Sequence, residues 1–565
     1  ADTTSYRSLS DASTAMTGGS GIEKYEHNLL MLNIPKLVAT EIIPEAFLLM
    51  LKTISCIVGI HLISHFIGFS QAEQICAIEP FLMIFAHVIP NAIVISGIAQ
   101  VFVHLQRKQF GAANVYLMST TAVYFLFTLI VTIIAAVVAE QLLATLQLDP
   151  ETIIFFKINL FCAFIGESGT FLVNHILDCE KRRINIVASQ ATQSVLYMLI
   201  LYSGFSVMNS MSIVSTSDML QFAAIARVVS QAIPNLYFMI QFFTKSTDKQ
   251  LALELGRLNP VRWPLIWIII KNTGLYFMKT LYDPLVALLI VLTYAQEYRG
   301  NNAYSHHSYI AWFMYYQFSK LSNCFNESTY KNLKHPFEMN LKISRLDRLF
   351  QLLTSGHLQQ MVYSIIMVGL TYWVAQPVLK VMFAPDEDEY TQFFEISQIC
   401  KIASVTGLVQ TGFIQSLIVG EITSSQSMLY IIYFGQYLMV IALIVTMFLM
   451  KGAYQYVEFQ LYSQLAQGLI GWMLYLITVL KYRRIIAQNI EVMNNEKLDD
   501  VQNEDQLLDL EPMDILTEVK DDSKKQFTSD LDNEGVGGPA YSLMSQGNKS
   551  NEKTTSKSNE KISSK

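Results

Sequence analysis

Twelve long, mostly apolar stretches recur along the chain and leave little freedom in how it folds. They run approximately 42–67, 77–103, 115–139, 152–177, 184–207, 219–243, 263–295, 305–325, 356–381, 391–419, 427–450 and 453–480. A hydrocarbon layer of about 30 Å is crossed by about 20 helical residues. A backbone in hydrocarbon must satisfy its own hydrogen bonds, so runs of this length predict transmembrane helices. Only 15% of the residues are charged, against about 25% in ordinary soluble domains. A soluble multidomain enzyme of this length is excluded.

The loops give an independent test, because Lys and Arg concentrate on the cytoplasmic side of membrane proteins. One set of alternate loops, with the exit of the last span, carries 17 basic residues. Among them are Arg107 and Lys108, Lys181 to Arg183, Lys331, Lys334 and Lys342, and Arg483 and Arg484. The other set carries 3, namely Arg299, Lys380 and Lys451. This bias predicts twelve spans with both termini in the cytosol. The expected location is the plasma membrane or an endomembrane such as the vacuole's. Neither a basic region nor a small-residue cleavage site precedes the first apolar run, so no signal peptide is expected.

The net charge of −7 is unevenly placed. Residues 485–565 hold 17 Asp/Glu against 9 Lys/Arg, so the apolar body is nearly neutral. This acidic tail lacks an aromatic cluster and is expected to be disordered and cytosolic. It is a candidate surface for protein partners, and Tyr541-Ser-Leu-Met544 fits the loose tyrosine-plus-apolar sorting pattern. Residues 1–41 form an N-terminal cytosolic segment, dense in Ser, Thr and Gly over residues 1–22. Residues 244–262 form a polar linker with Leu251, Leu253, Leu255 and Leu258 beside Arg257, read as a short amphipathic helix at the interface.

The chain also repeats itself. Phe155-Phe156-Lys157-Ile158 matches Phe393-Phe394-Glu395-Ile396 at an offset of 238, and at that offset Cys162 meets Cys400 and Gly169 meets Gly407. Six spans per unit is even, so the two halves share an orientation. The expected architecture is an all-α polytopic membrane protein of twelve transmembrane helices. They form two six-helix lobes, residues 42–243 and 263–484, related by a pseudo-two-fold axis along the membrane normal.

An ionisable residue inside a span is costly and is read first as a functional candidate. Span 7 places Asn272, Tyr276, Lys279 and Asp283 on one helical face, with Pro284 following. That face is either a coupling or substrate site, or a static Lys279–Asp283 pair lining a wet seam. In span 4, Glu167 stands mid-helix between Gly166 and Gly169, while Arg227 of span 6 has no partner in its own helix. A Glu167–Arg227 pair within the first lobe is expected, in a structural or a coupling role. His87, just before Pro90-Asn91, is a further cavity candidate. The run Trp312, Phe313, Tyr315, Tyr316 and Phe318 reads either as a pocket for flat cations or, more often, as packing.

Six scattered cysteines show neither a CxxC pair nor metal-ligand spacing, so no disulfide framework, metal site or bound cofactor is expected. No phosphate-binding GxxxxGK[ST] loop and no hydrolase motif is present, and neither an enzyme nor a nucleic-acid binder is expected.

Lys108-Gln109-Phe110-Gly111-Ala112-Ala113-Asn114, after span 2, resembles the Gln-x-x-Gly-Ala-x-Asn stretch of the multidrug and toxic-compound extrusion (MATE) family. Glu41-Ile-Ile-Pro44 opening span 1, with Gly59 and Gly68 closing it, is similar to the same family's pattern. Phe337-Glu338-Met339-Asn340 gives a fainter echo in the second half. The resemblance implies a two-lobed, twelve-helix antiporter that expels organic cations or amphiphilic metabolites against a proton or sodium gradient, exchanging with substrate and lipid. It also implies an acid in span 7, for which Asp283 is the nearest residue. Two other readings stay open: a lipid-linked sugar flippase of the same superfamily, and a transport-inactive membrane scaffold.

Overall fold

The computed structural model describes residues 33–106, 109–146, 148–180, 182–211, 214–244, 251–253, 263–298, 308–342, 346–383, 390–422, 426–449, 462–481 and 483–484. The chain divides into a unit Ala1–Ile486 and a unit Ala487–Lys565. The second unit, which is most of the acidic tail, lies outside the described residues, as do residues 1–32.

The described body is helical throughout. The first half contains α1 (Ile34–Phe66), α2 (Phe69–Leu82), a π-helical turn (Met83–Val88), α3 (Ile89–Gln106), α4 (Phe110–Thr145), α5 (Pro150–Phe161), α6 (Glu167–Cys179), α7 (Arg183–Ser210) and α8 (Thr216–Phe243). The second half contains α9 (Trp263–Tyr298), α10 (Ser308–Lys342), α11 (Leu346–Phe383), α12 (Tyr390–Ile422), α13 (Gln426–Leu449) and α14 (Tyr462–Lys481). Seven of these stretches are long and apolar enough to cross a membrane. Outward-facing apolar side chains such as Leu129, Ile133 and Val137 of α4, and Ile366, Leu370 and Trp373 of α11, give the body a lipid-facing surface.

The helices correct the sequence reading at four places. Span 2 starts at Phe69, not at 77, because Gly68 turns the chain with φ 145° and α2 begins at once. Span 4 is not one helix. It breaks over Cys162–Gly166, and Glu167 opens α6 instead of standing mid-helix. The freed carbonyls of the break find side-chain donors, which is what lets it persist. Tyr124 donates to Phe164 O at 2.9 Å, and Asn235 donates to Ile165 O and Gly166 O at 2.9 and 2.8 Å. Span 8 extends as α10 to Lys342, so Lys331 and Lys334, expected in a loop, ride on a helix. In the linker, Leu251–Leu253 is not helical. Leu251 and Leu253 are buried in the core, and the segment is tied down by Leu253 N donating to Phe242 O and Ala252 N donating to Asn114 Oδ1. The rest of the linker lies outside the described residues.

The halves meet along a seam. On one side are α1, α2, the π turn and α3; on the other are α9, α10 and α11. At one end of α1, Ile34, Leu37, Val38 and Ile42 pack with Leu333, Phe337, Leu352 and Leu353. There Glu45 pairs with Lys331 of α10 at 3.3 Å, and Glu41 pairs with Arg183 of α7. At the other end, Ile60, Ile63 and Ile78 join a cluster with Ile290, Trp312 and Phe318. Trp312, Phe313, Tyr315 and Phe318 are buried there, so most of the aromatic run is packing.

Two local devices give testable magnitudes. Ser215 caps α8 in a reciprocal box, its Oγ accepting from Asp218 N and its own N donating to Asp218 Oδ2, each at 3.2 Å. Ser215→Ala is expected to cost about 1 kcal/mol, read as a lower melting temperature in detergent. α12 and α14 cross at glycines: a Cβ at Gly412 would lie 2.8 Å from Trp472 Cα, and one at Gly471 would run into the Phe413 backbone. Because backbone and not a flexible side chain stands in the way, Gly471→Val is expected to cost at least about 2 kcal/mol. A melting temperature equal to that of the parent would contradict this crossing.

Candidate functional site

The site begins with a proline. Pro90 lacks an N–H, so the carbonyl of Ala86, four residues earlier, loses its helical partner. The chain answers with the π turn Met83–Val88, and Ser168 Oγ donates to Ala86 O. This contact sets the start of α6 against the turn that carries His87, and so brings Glu167 to His87. Glu167 Oε1 lies 3.4 Å from His87 Nδ1. The first turn of a helix also favours a carboxylate.

Arg227 of α8 completes the cluster. Its Nη1 and Nη2 donate to Glu79 Oε2 and Oε1 at 2.9 and 3.0 Å, and Nη2 also donates to Glu167 Oε2 at 3.1 Å. The planar guanidinium thus grips one carboxylate with both prongs and a second with one. The side chains of Glu79, Glu167 and Arg227 are 13, 17 and 18% exposed. The expected Glu167–Arg227 pair is present, and the expected lone His87 belongs to it.

Sequence reasoning missed Glu79. With span 2 placed from residue 77, Glu79 falls at the membrane edge, where a carboxylate needs no partner. A signal was available: Glu79 stands inside the span expected over 77–103, where an ionisable residue is a functional candidate.

The span 7 candidates lie at the seam, on α9. Asn272 and Tyr276 are half-buried, and the side chain of Lys279 lies outside the described set, so the Lys279–Asp283 pair does too. Asp283 is exposed, yet Lys320 and Glu327 of α10 act on it electrostatically. Lys320 stands 4.3 Å over the Tyr316 ring, which occupies the one half-buried aromatic of the run. It also acts on His87, as does Lys52 of α1. Among the described residues no group of three His, Cys, Asp or Glu is arranged to hold a metal ion.

No family model matches the chain, and no curated protein sequence matches it. Solved structures do. The chain is similar to an inward-facing multidrug resistance MATE family transporter of the MOP superfamily, with a TM-score of 0.63 and 11% identity, covering 77% of this chain and 96% of the other. It is similar to an outward-facing structure of such a transporter at 0.62 and 12%, covering 80% and 98%. It also resembles a MOP superfamily transporter from Pyrococcus furiosus Vc1, whose binding pocket is described as having reversed polarity, at 0.60 and 12%, covering 81% and 98%. The chain is an integral membrane protein with the fold of MATE transporters.

Proposed function

We propose that the chain is a MATE-like secondary active transporter that exchanges an organic cation or amphiphilic metabolite for a proton or sodium ion by alternating access. Its body is read as twelve spans in two six-helix lobes with both termini cytosolic. What supports this most is the shared fold together with ionisable side chains carried on helices of both halves: Lys52, Glu79, His87, Glu167 and Arg227 in one, Asp283, Lys320 and Glu327 in the other. Such groups are expensive in a bilayer and mark substrate and ion pathways. Tyr316 of α10 donates to Met83 Sδ at 3.6 Å, on the turn that carries His87, so the other half touches this group directly.

Solved transporters of this fold have both an inward-facing and an outward-facing form, as rocking of two lobes requires. In this chain the seam mixes basic and acidic groups, which suits a substrate with a delocalised positive charge and an apolar body. The purified chain in proteoliposomes is expected to accumulate a lipophilic organic cation when a proton or sodium gradient is imposed. No accumulation under either gradient, over a broad panel of cations, would instead favour the transport-inactive scaffold.

A further inference from the structure

We propose that the His87–Glu167 pair, held in a charge cluster with Glu79 and Arg227, is where the protein binds and releases its coupling proton. This rests on the transporter reading above and narrows its ion to a proton. The first support is charge balance. Arg227 is the only cation bonded to two carboxylates among these four residues, so the cluster carries one negative charge when His87 is neutral. One added proton makes it neutral, and a neutral cluster is cheaper to hold in a bilayer.

The second support is geometry. Arg227 engages both oxygens of Glu79 and one of Glu167. The remaining oxygen, Glu167 Oε1, is hydrogen-bonded to His87 Nδ1 at 3.4 Å, and a proton on the imidazole turns this long contact into a charge-assisted bond. A sodium ion fits poorly. It needs a shell of oxygen ligands, and three of the four carboxylate oxygens are already bonded to a guanidinium that would repel it.

The surrounding groups couple this proton to movement of the halves. Around the cluster stand Lys52 and Cys56 of α1, Tyr197 of α7, and Lys320 of α10. Tyr124 of α4 donates to the break before Glu167, His175 of α6 is bonded to Asn91, and Lys320 also acts on Asp283 of α9. Tyr316 of α10 donates to Met83 Sδ at 3.6 Å, on the same π turn as His87. Of the cations, Lys320 belongs to the other half of the chain. The Tyr316–Met83 contact ties the turn that carries His87 to that half, so movement of the halves reaches the pair through it.

The second half offers a contrast. Its buried network joins Asn326, Gln360 and Gln415 by amide hydrogen bonds of 2.7 and 2.8 Å, and these groups do not titrate.

Proton uptake by the full-length protein in lipid nanodiscs tests the site without substrate or flux. Infrared difference spectra between about pH 8 and pH 5.5 are recorded for wild type, His87→Asn, Glu167→Gln and Lys320→Gln. In wild type an imidazole band is expected to titrate together with a carboxylate band. Both changes are expected to vanish in His87→Asn, and the carboxylate change in Glu167→Gln. Lys320→Gln leaves the cluster's own hydrogen bonds intact and, by removing a nearby cation, is expected to shift the titration midpoint upward. Spectra in His87→Asn identical to wild type, or an unmoved midpoint in Lys320→Gln, would overturn the proposal. A normal titration in a protein that moves no cation would instead overturn the transporter reading and leave the proton site standing.

Discussion

Asp283→Asn is expected to abolish gradient-driven uptake of an organic cation while leaving the amount and melting temperature of the protein close to wild type. The substitution keeps size and shape and removes only the charge. Asp283 is exposed on α9, so its loss leaves no buried partner stranded. What it does change is the field at Lys320 and Glu327, the two charged groups of α10 that act on Asp283. A cationic substrate entering there would meet a net charge one unit more positive. One charge pair at about 4 Å is worth about 1 kcal/mol in water and about 4 kcal/mol at an effective dielectric near 20, so at this exposed carboxylate the loss is largest in the state that closes around substrate and excludes water. Uptake equal to wild type would take Asp283 out of the mechanism.

Arg227→Met carries the largest expected effect on stability. It strands Glu79 and Glu167, two carboxylates that are mostly buried and share this one guanidinium. Breaking a buried pair from one side costs about 3–5 kcal/mol, because the remaining charge is left uncompensated. The triple variant Glu79→Gln, Glu167→Gln, Arg227→Met removes the charges together and is expected to recover most of that loss. Thermal unfolding in detergent, with ligand absent, reads both. If the single and triple variants melt alike, the cluster does not behave as one ionic unit.

The large features were legible because the bilayer imposes them. Apolar length marks a span whatever the neighbours do, and the matching solved structures share that all-helical plan. Local features were read less well. The break at Cys162–Gly166 depends on Asn235 and Tyr124, which are distant in sequence, and no window over span 4 contains them. The same holds for Ser168, whose partner Ala86 is freed by Pro90 on another helix. Polar residues along α10 lowered its hydropathy, so its true extent to Lys342 was hidden. In the site, Arg227 without a helical partner correctly pointed to Glu167, since a buried cation needs an anion. Glu79 escaped because a two-residue-deep position looked wet, while the helix actually begins eight residues before Ala77 at Phe69.

The most direct test of antiport is to run it backwards. Proteoliposomes containing the purified chain are loaded with a lipophilic organic cation and a pH-sensitive dye, then diluted into cation-free buffer at the same pH with the membrane potential clamped. Outward movement of the cation is expected to draw protons in and acidify the lumen, with no such change in Asp283→Asn or in protein-free vesicles. Cation efflux at the protein-free rate with no change in internal pH would contradict coupled exchange.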